Sequence, residues 1–158
     1  MIKILMICHG NICRSPMSEY ILRDMVQKRG LAAQFQIASA ATSREEIGNP
    51  VYPPARRILK AHGIDCMGKT ARQMTKADYA EYDYLLAAEN YNIRNMMRIL
   101  GGDPEKKVHR LLDFSDRPRD IADPWYTGDF QITWDDIGEG CEAFLKYLEK
   151  EGRINPYE

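Results

Sequence analysis

Three observations predict an α/β domain with a parallel sheet covered by helices on both faces. Short apolar runs alternate with amphipathic helical segments along the chain. The first run, Ile2–Ile7, is apolar at every position but Lys3, as expected of a strand buried on both sides. That run then passes through Gly10 and Asn11 into a helix opening at Pro16, a strand–turn–helix transition.

The elements follow in order. Residues Pro16 to Arg29 read as a helix with Met17, Ile21, Leu22, Met25 and Val26 on one stripe. Lys28 and Arg29 suit the negative end of its dipole, and Gly30 its termination. Phe35–Ala38 is the expected second strand, and Pro54–His62 a helix closed by Gly63. Tyr84–Ala88 is the third strand, followed by a helix over Tyr91–Leu100. Val108–Leu112 is the fourth strand. The last helix, Trp134–Lys150, carries Ile137, Cys141, Phe144, Leu145 and Leu148 on one face. Sheets of this kind bind ligands beyond the carboxyl ends of their strands, and Cys8 lies at such an end.

The chain has 158 residues and a formal net charge of −1. That length suits one domain over residues 1–158, with a core of ordinary size. The near-neutral charge implies neither a nucleic-acid nor a membrane-surface partner. No stretch approaches the ~20 apolar residues of a membrane span. The short apolar N-terminus does not read as a secretory signal. Cys8, Cys13, Cys66 and Cys141 have no metal-ligand spacing, so neither metal nor cofactor is expected. Cys66 and Cys141 read as structural thiols. A reactive thiol suits a reducing compartment, which points to the cytoplasm.

The run Cys8-His9-Gly10-Asn11-Ile12-Cys13-Arg14-Ser15-Pro16 carries the chemistry. A tight loop entering a helix N-terminus aims several backbone N–H groups at one point, where the dipole adds partial positive charge. Cys8 faces that cup and Arg14, which favours its thiolate at neutral pH. The planar fork of Arg14 fits two phosphate oxygens at once. Gly10 permits close backbone approach, and Asn11 tolerates left-handed geometry while its side chain pins the loop. Ser15 is the expected N-cap, with Pro16 as first helical residue. Its hydroxyl is also placed to donate to the Cys8 sulfur.

These residues resemble the signature of the low-molecular-weight protein tyrosine phosphatases. The similarity runs on through Ala40-Ala41-Thr42-Ser43, Glu46-Ile47-Gly48-Asn49-Pro50, His62-Gly63-Ile64, Ala71-Arg72-Gln73, Asp83-Tyr84 and Asp123-Pro124-Trp125-Tyr126. The resemblance implies a four-stranded parallel sheet and a metal-free phosphomonoesterase acting on phosphotyrosine proteins or small aryl phosphates, releasing inorganic phosphate. It implies that Cys8 is the nucleophile and that His9, Gly10, Asn11, Ile12, Cys13, Arg14 and Ser15 complete the phosphate-binding loop. It also implies a reversible Cys8–Cys13 disulfide under peroxide; simple packing of Cys13 beneath the loop is the alternative. It lets His62 brace Asn11.

Thiol-based ester hydrolysis needs an acid for the leaving oxygen and then a base for water. On sequence alone Asp113, Asp116, Asp120, Asp123, Asp129, Asp135 and Asp136 all qualify. The resemblance selects Asp123. Trp125 and Tyr126 either line the entrance, stacking on an aryl ring, or pack their loop onto the domain. The chain departs from the family pattern in the second loop, where Glu45 stands in place of an aromatic at the entrance. It also lacks a family histidine around Met67-Gly68-Lys69. Two other functions fit parts of this pattern. A thiol-coupled arsenate reductase shares the scaffold; Ala87-Ala88-Glu89-Asn90-Tyr91 lacks the further cysteine that some versions need, while a glutathione- or mycothiol-coupled version stays open. A noncatalytic phosphate-binding module needs neither the thiol nor the acid.

Overall fold

The computed structural model describes residues 1–154; the last four positions of the expected 1–158 domain lie outside the described residues. Four strands form one sheet: β1 (Ile2–Cys8), β2 (Phe35–Ala41), β3 (Tyr84–Ala87) and β4 (Val108–Arg110). The order is β2-β1-β3-β4 and every pairing is parallel. The helices are α1 (Arg14–Lys28), α2 (Pro53–Ala61), α3 (Asp78–Glu81), α4 (Asn90–Leu100), α5 (Pro124–Thr127) and α6 (Phe130–Lys150).

Strand alternation builds two cores from one sheet. Ile2, Ile4, Met6 and Cys8 of β1 face a cluster containing Met17 and Leu22 of α1, Leu59 of α2, and Phe144 and Leu148 of α6. Leu5 and Ile7 face the other side, against Met96 and Leu100 of α4. Burial on both sides is why β1 reads as a continuous apolar run. The predicted α/β class and parallel sheet are found.

The differences from the sequence reading have local causes. β2 runs to Ala41 rather than Ala38, held in register by β1 as far as the pairing of Cys8 with Ala41. The small residues Ala38 to Ala41 carry weak strand propensity, so the pairing and not the side chains extends it. β4 stops at Arg110 instead of Leu112, and residues Leu111–Phe114 form a 3-10 turn. Asp113 causes this: its carboxylate accepts from the Arg110 backbone N–H and from Arg110 Nε, each at 2.8 Å. α6 begins at Phe130, a turn before Trp134, because Asp129 Oδ1 caps the N–H groups of Gln131 (3.0 Å) and Ile132 (3.2 Å). Ser15 is not a cap, since α1 already starts at Arg14 behind Cys13. Pro16 is tolerated at the third helical position, whose N–H has no partner inside the helix. Among the described residues no helix is long and apolar enough to cross a membrane.

Gly140 lies where α6 crosses the turn after β4. A Cβ there would sit 2.6 Å from Leu111 Cγ, and Leu111 is itself buried. Alanine gains about 1 kcal/mol in helix propensity. The overlap costs about 1–3 kcal/mol, because a fully packed leucine cannot swing aside. Gly140→Ala is therefore expected to lower unfolding free energy by about 1 kcal/mol and Tm by about 2–4 °C. Urea and thermal unfolding check this, and a variant as stable as wild type would show that α6 has room to move.

Candidate active site

Cys8 ends the central strand β1, at the point where one crossover leads to β2 and the later chain returns on the other side as β3. Sheet order thus opens a crevice above Cys8. The loop that follows is tied down on both sides. The Cys8 and His9 carbonyls accept from the Thr42 (3.0 Å) and Ser43 (3.1 Å) N–H groups, and the Ile12 carbonyl from Tyr52 N–H (2.9 Å).

Asn11 is the hinge of the loop. Its φ is 60°, left-handed for a residue that is not glycine. Its buried side chain spends every hydrogen-bonding group. Nδ2 donates to Ser15 Oγ (2.8 Å) and to Ser39 Oγ (2.9 Å), and Oδ1 accepts from Arg72 N–H (3.1 Å). Its own backbone N–H points at Cys8 Sγ, 3.3 Å away. Because Ser15 Oγ accepts from Asn11, its single hydrogen is free to point at Cys8 Sγ, 3.0 Å away. Two donors therefore converge on the sulfur.

The chain of contacts continues beneath the loop. Ser39 Oγ donates to Glu19 Oε1 (2.6 Å), a carboxylate only 2% exposed. Glu19 pairs with Arg23 (2.7 Å) and lies 3.6 Å from Lys69 Nζ, which also donates to the Ser39 carbonyl at 3.0 Å. Burial pulls the Lys69 ammonium below its ordinary range, against the opposing pull of Glu19. Lys69 thus occupies the region where the family's histidine is missing. His62 does not brace Asn11. Its ring stacks on Trp134, with centroids 3.8 Å apart, and Nδ1 meets the Ile58 carbonyl at 3.0 Å. Its place at the end of α2 turns the imidazole towards α6 and away from the loop.

Arg14 is buried and makes three contacts: NH1 with Glu89 and with the Ile121 carbonyl (3.0 Å), and NH2 with Asp123 Oδ2 (3.3 Å). Burial works against its charge, but Cys8, Asp123 and Glu89 outweigh it and hold the guanidinium above its ordinary range. The Asp123 segment is clamped from two elements. Ile121 N–H donates to the Ala88 carbonyl just past β3 (2.9 Å). From α6, Asp136 accepts from Ala122 N–H (3.1 Å) and Thr133 Oγ1 donates to the Ala122 carbonyl (2.9 Å). Asp123 caps α5, its Oδ1 accepting from Trp125 N–H at 3.0 Å.

A depression of about 460 Å³ covers these groups, with Cys8, Arg14, Glu89 and Asp123 in its lining. Of the seven candidate aspartates only Asp123 lines it. Asp113 and Asp120 pair with Arg110, Asp136 with Arg119, and Asp129 caps α6. His9, Gly10, Ile12, Cys13, Glu45, Trp125 and Tyr126 also line it; Asn11 and Ser15 act from beneath. Glu45 bonds His9 Nε2 at 2.8 Å at the rim. Trp125 packs on Tyr52, with centroids 5.3 Å apart, so one ring both packs its loop and reaches the entrance. Burial, then Cys8 and Asp123, push the Cys13 thiol up to about 12. Cys66 and Cys141 are buried thiols, also pushed up by burial.

The sequence reading missed Glu89, Glu46, Tyr52, Tyr91 and the Glu19–Lys69 pair. Glu89 carried one usable signal, a carboxylate immediately beyond a parallel strand and before a helix.

Comparison with known proteins agrees with this geometry. Residues 3–154 match the family model for low molecular weight phosphotyrosine protein phosphatase. A low molecular weight protein-tyrosine-phosphatase of Bacillus subtilis is 37% identical over 156 residues, covering 98% of this chain and all of that protein. The human low molecular weight phosphotyrosine protein phosphatase is 35% identical, covering 91% of this chain and 94% of its own length. The crystal structure of the Bacillus subtilis protein superposes with a TM-score of 0.90 over 96% of each chain at 39% identity. The chain belongs to the low molecular weight phosphotyrosine protein phosphatase family, enzymes that work through a cysteine nucleophile.

Proposed function

We propose that this protein hydrolyses phosphotyrosine in proteins, and small aryl phosphates, through a cysteinyl-phosphate on Cys8. The convergence of a thiol, a buried guanidinium and a clamped carboxylate in one depression carries this reading. The loop amides and Arg14 bind the phosphoryl oxygens. Phosphate takes over the Arg14 fork and so frees Asp123 from it. Cys8 Sγ attacks phosphorus as the P–O bond to the aryl group breaks, and protonated Asp123 supplies the proton to the leaving oxygen. Its carboxylate then takes a proton from water, which attacks phosphorus and expels the Cys8 sulfur, with inorganic phosphate as product. The Ser15 hydroxyl stabilises the departing thiolate. Negative charge on the phosphoryl oxygens is offset by Arg14 and the loop N–H groups, so no metal is required.

Cys13, lining the depression and held as a thiol, is the partner for a peroxide-driven disulfide with Cys8. Four free thiols, the nucleophile among them, support a reducing compartment, the cytoplasm. The arsenate-reductase and binding-module alternatives are not favoured, since the relatives are named phosphatases.

Turnover of p-nitrophenyl phosphate from pH 4 to 8, in EDTA, tests the reading. Wild type is expected to be active. Cys8→Ser is expected to be inactive, and Asp123→Ala to lose about 10²–10⁴-fold in kcat. No turnover by folded, reduced wild type would sink the proposal.

Ser15→Ala removes a hydrogen bond to a charged sulfur worth about 1.5–3 kcal/mol, so kcat should fall roughly 10–100-fold. The loss falls chiefly on breakdown of the cysteinyl-phosphate. Stopped-flow should then show a burst of p-nitrophenol stoichiometric with enzyme, and an unchanged kcat would remove Ser15 from the mechanism.

A further inference from the structure

Glu45 leaves the second loop without a ring at the entrance, and its carboxylate is engaged by His9 Nε2 at 2.8 Å. An aromatic side chain reaches the same depression from another element. Tyr91, in the first turn of α4, lines it together with Cys8, Trp125 and Tyr126. We propose that Tyr91 is a specificity-determining residue of this site, the second aromatic wall against which the aryl group of the substrate packs.

Tyr91 has no structural task that explains its place. α4 buries Asn92, Met96 and Leu100, and Tyr91 remains 49% exposed. Its ring is nonetheless held. The His9 imidazole lies 6.3 Å from it, tilted by 31°, and the Arg94 guanidinium lies 5.7 Å from its centroid. His9 is fixed in turn by Glu45, so the carboxylate that displaces one aromatic wall buttresses another. Trp125 and Tyr126, 61% and 85% exposed, supply further aromatic surface. Three exposed rings around a polar floor form an apolar collar above an anion cup. That shape fits a planar aryl phosphate better than an alkyl phosphate, which reaches the cup but leaves the collar in water. A wall on an eleven-residue helix is also stiffer than one on the second loop, so less ordering is needed when the ring enters.

This inference rests on the phosphatase reading, and its test separates the two. For wild type, Tyr91→Ala and Tyr91→Phe, kcat and KM are measured with phosphotyrosine, and Kd by calorimetry with phenylphosphonate and methylphosphonate. Stacking of this kind predicts that Tyr91→Ala raises KM for phosphotyrosine about three- to tenfold, with kcat within about twofold of wild type. Phenylphosphonate should weaken by the same factor and methylphosphonate should not. Tyr91→Phe should behave as wild type. An equal loss for both phosphonates would make Tyr91 a support for the cup, and no loss for phenylphosphonate would place the aryl ring elsewhere; either overturns the inference. If wild type binds phosphonates without turnover, the phosphatase reading falls, while the phenyl-to-methyl ratio still judges Tyr91.

Discussion

The site depends on one side chain being satisfied in a backbone conformation it would not choose. Asn11 sits at φ 60°, and its amide bonds Ser15, Ser39 and Arg72 in three directions. Each bond contributes modestly, about 1 kcal/mol net, yet leaving a buried amide group unpaired costs about 1–3 kcal/mol. These bonds therefore favour the observed arrangement of the loop. In it the Asn11 N–H and the Ser15 hydroxyl both face the Cys8 sulfur. Arg72 fixes the third direction from outside, since its guanidinium grips Asp78 through two bonds of 3.1 and 3.2 Å.

Around that loop, function is spread across the sheet by topology. β1 brings the thiol, β2 the hydroxyl of Ser39, the end of β3 leads to Glu89, and the segment before α5 carries Asp123. None of these is near the others in sequence. The β2-β1-β3-β4 order gathers their carboxyl ends over a single crevice. The Glu19–Lys69 pair beneath belongs to the same support. It holds Ser39 by its hydroxyl and its carbonyl at once.

Much of this was legible in the residues, for definite reasons. Ile2–Ile7 announced a strand buried on both faces because Lys3 is its only polar position. Cys8 to Pro16 announced the loop because its residue types are tied to backbone geometry. The ends of elements were less legible, because Asp113 and Asp129 choose them through side-chain bonds that no periodicity records. Partners set by tertiary contact were hidden as well. His62 stacks on Trp134, 72 positions away, and Tyr91 reaches the entrance only because α4 starts beside it. The residues alone left the acid open among seven aspartates; the family resemblance singled out Asp123, and the clamp on Ala122 holds that residue at Arg14.

Glu89 and Asp123 both contact the Arg14 guanidinium, so its buried positive charge is balanced by the protein's own carboxylates. An incoming oxyanion must exchange with those carboxylates rather than fill a bare positive charge. On the proposed phosphatase reading the same exchange runs backwards after hydrolysis, when the carboxylates return to the fork as phosphate leaves. On that reading, two acids that look like a handicap to anion binding also favour release of the product.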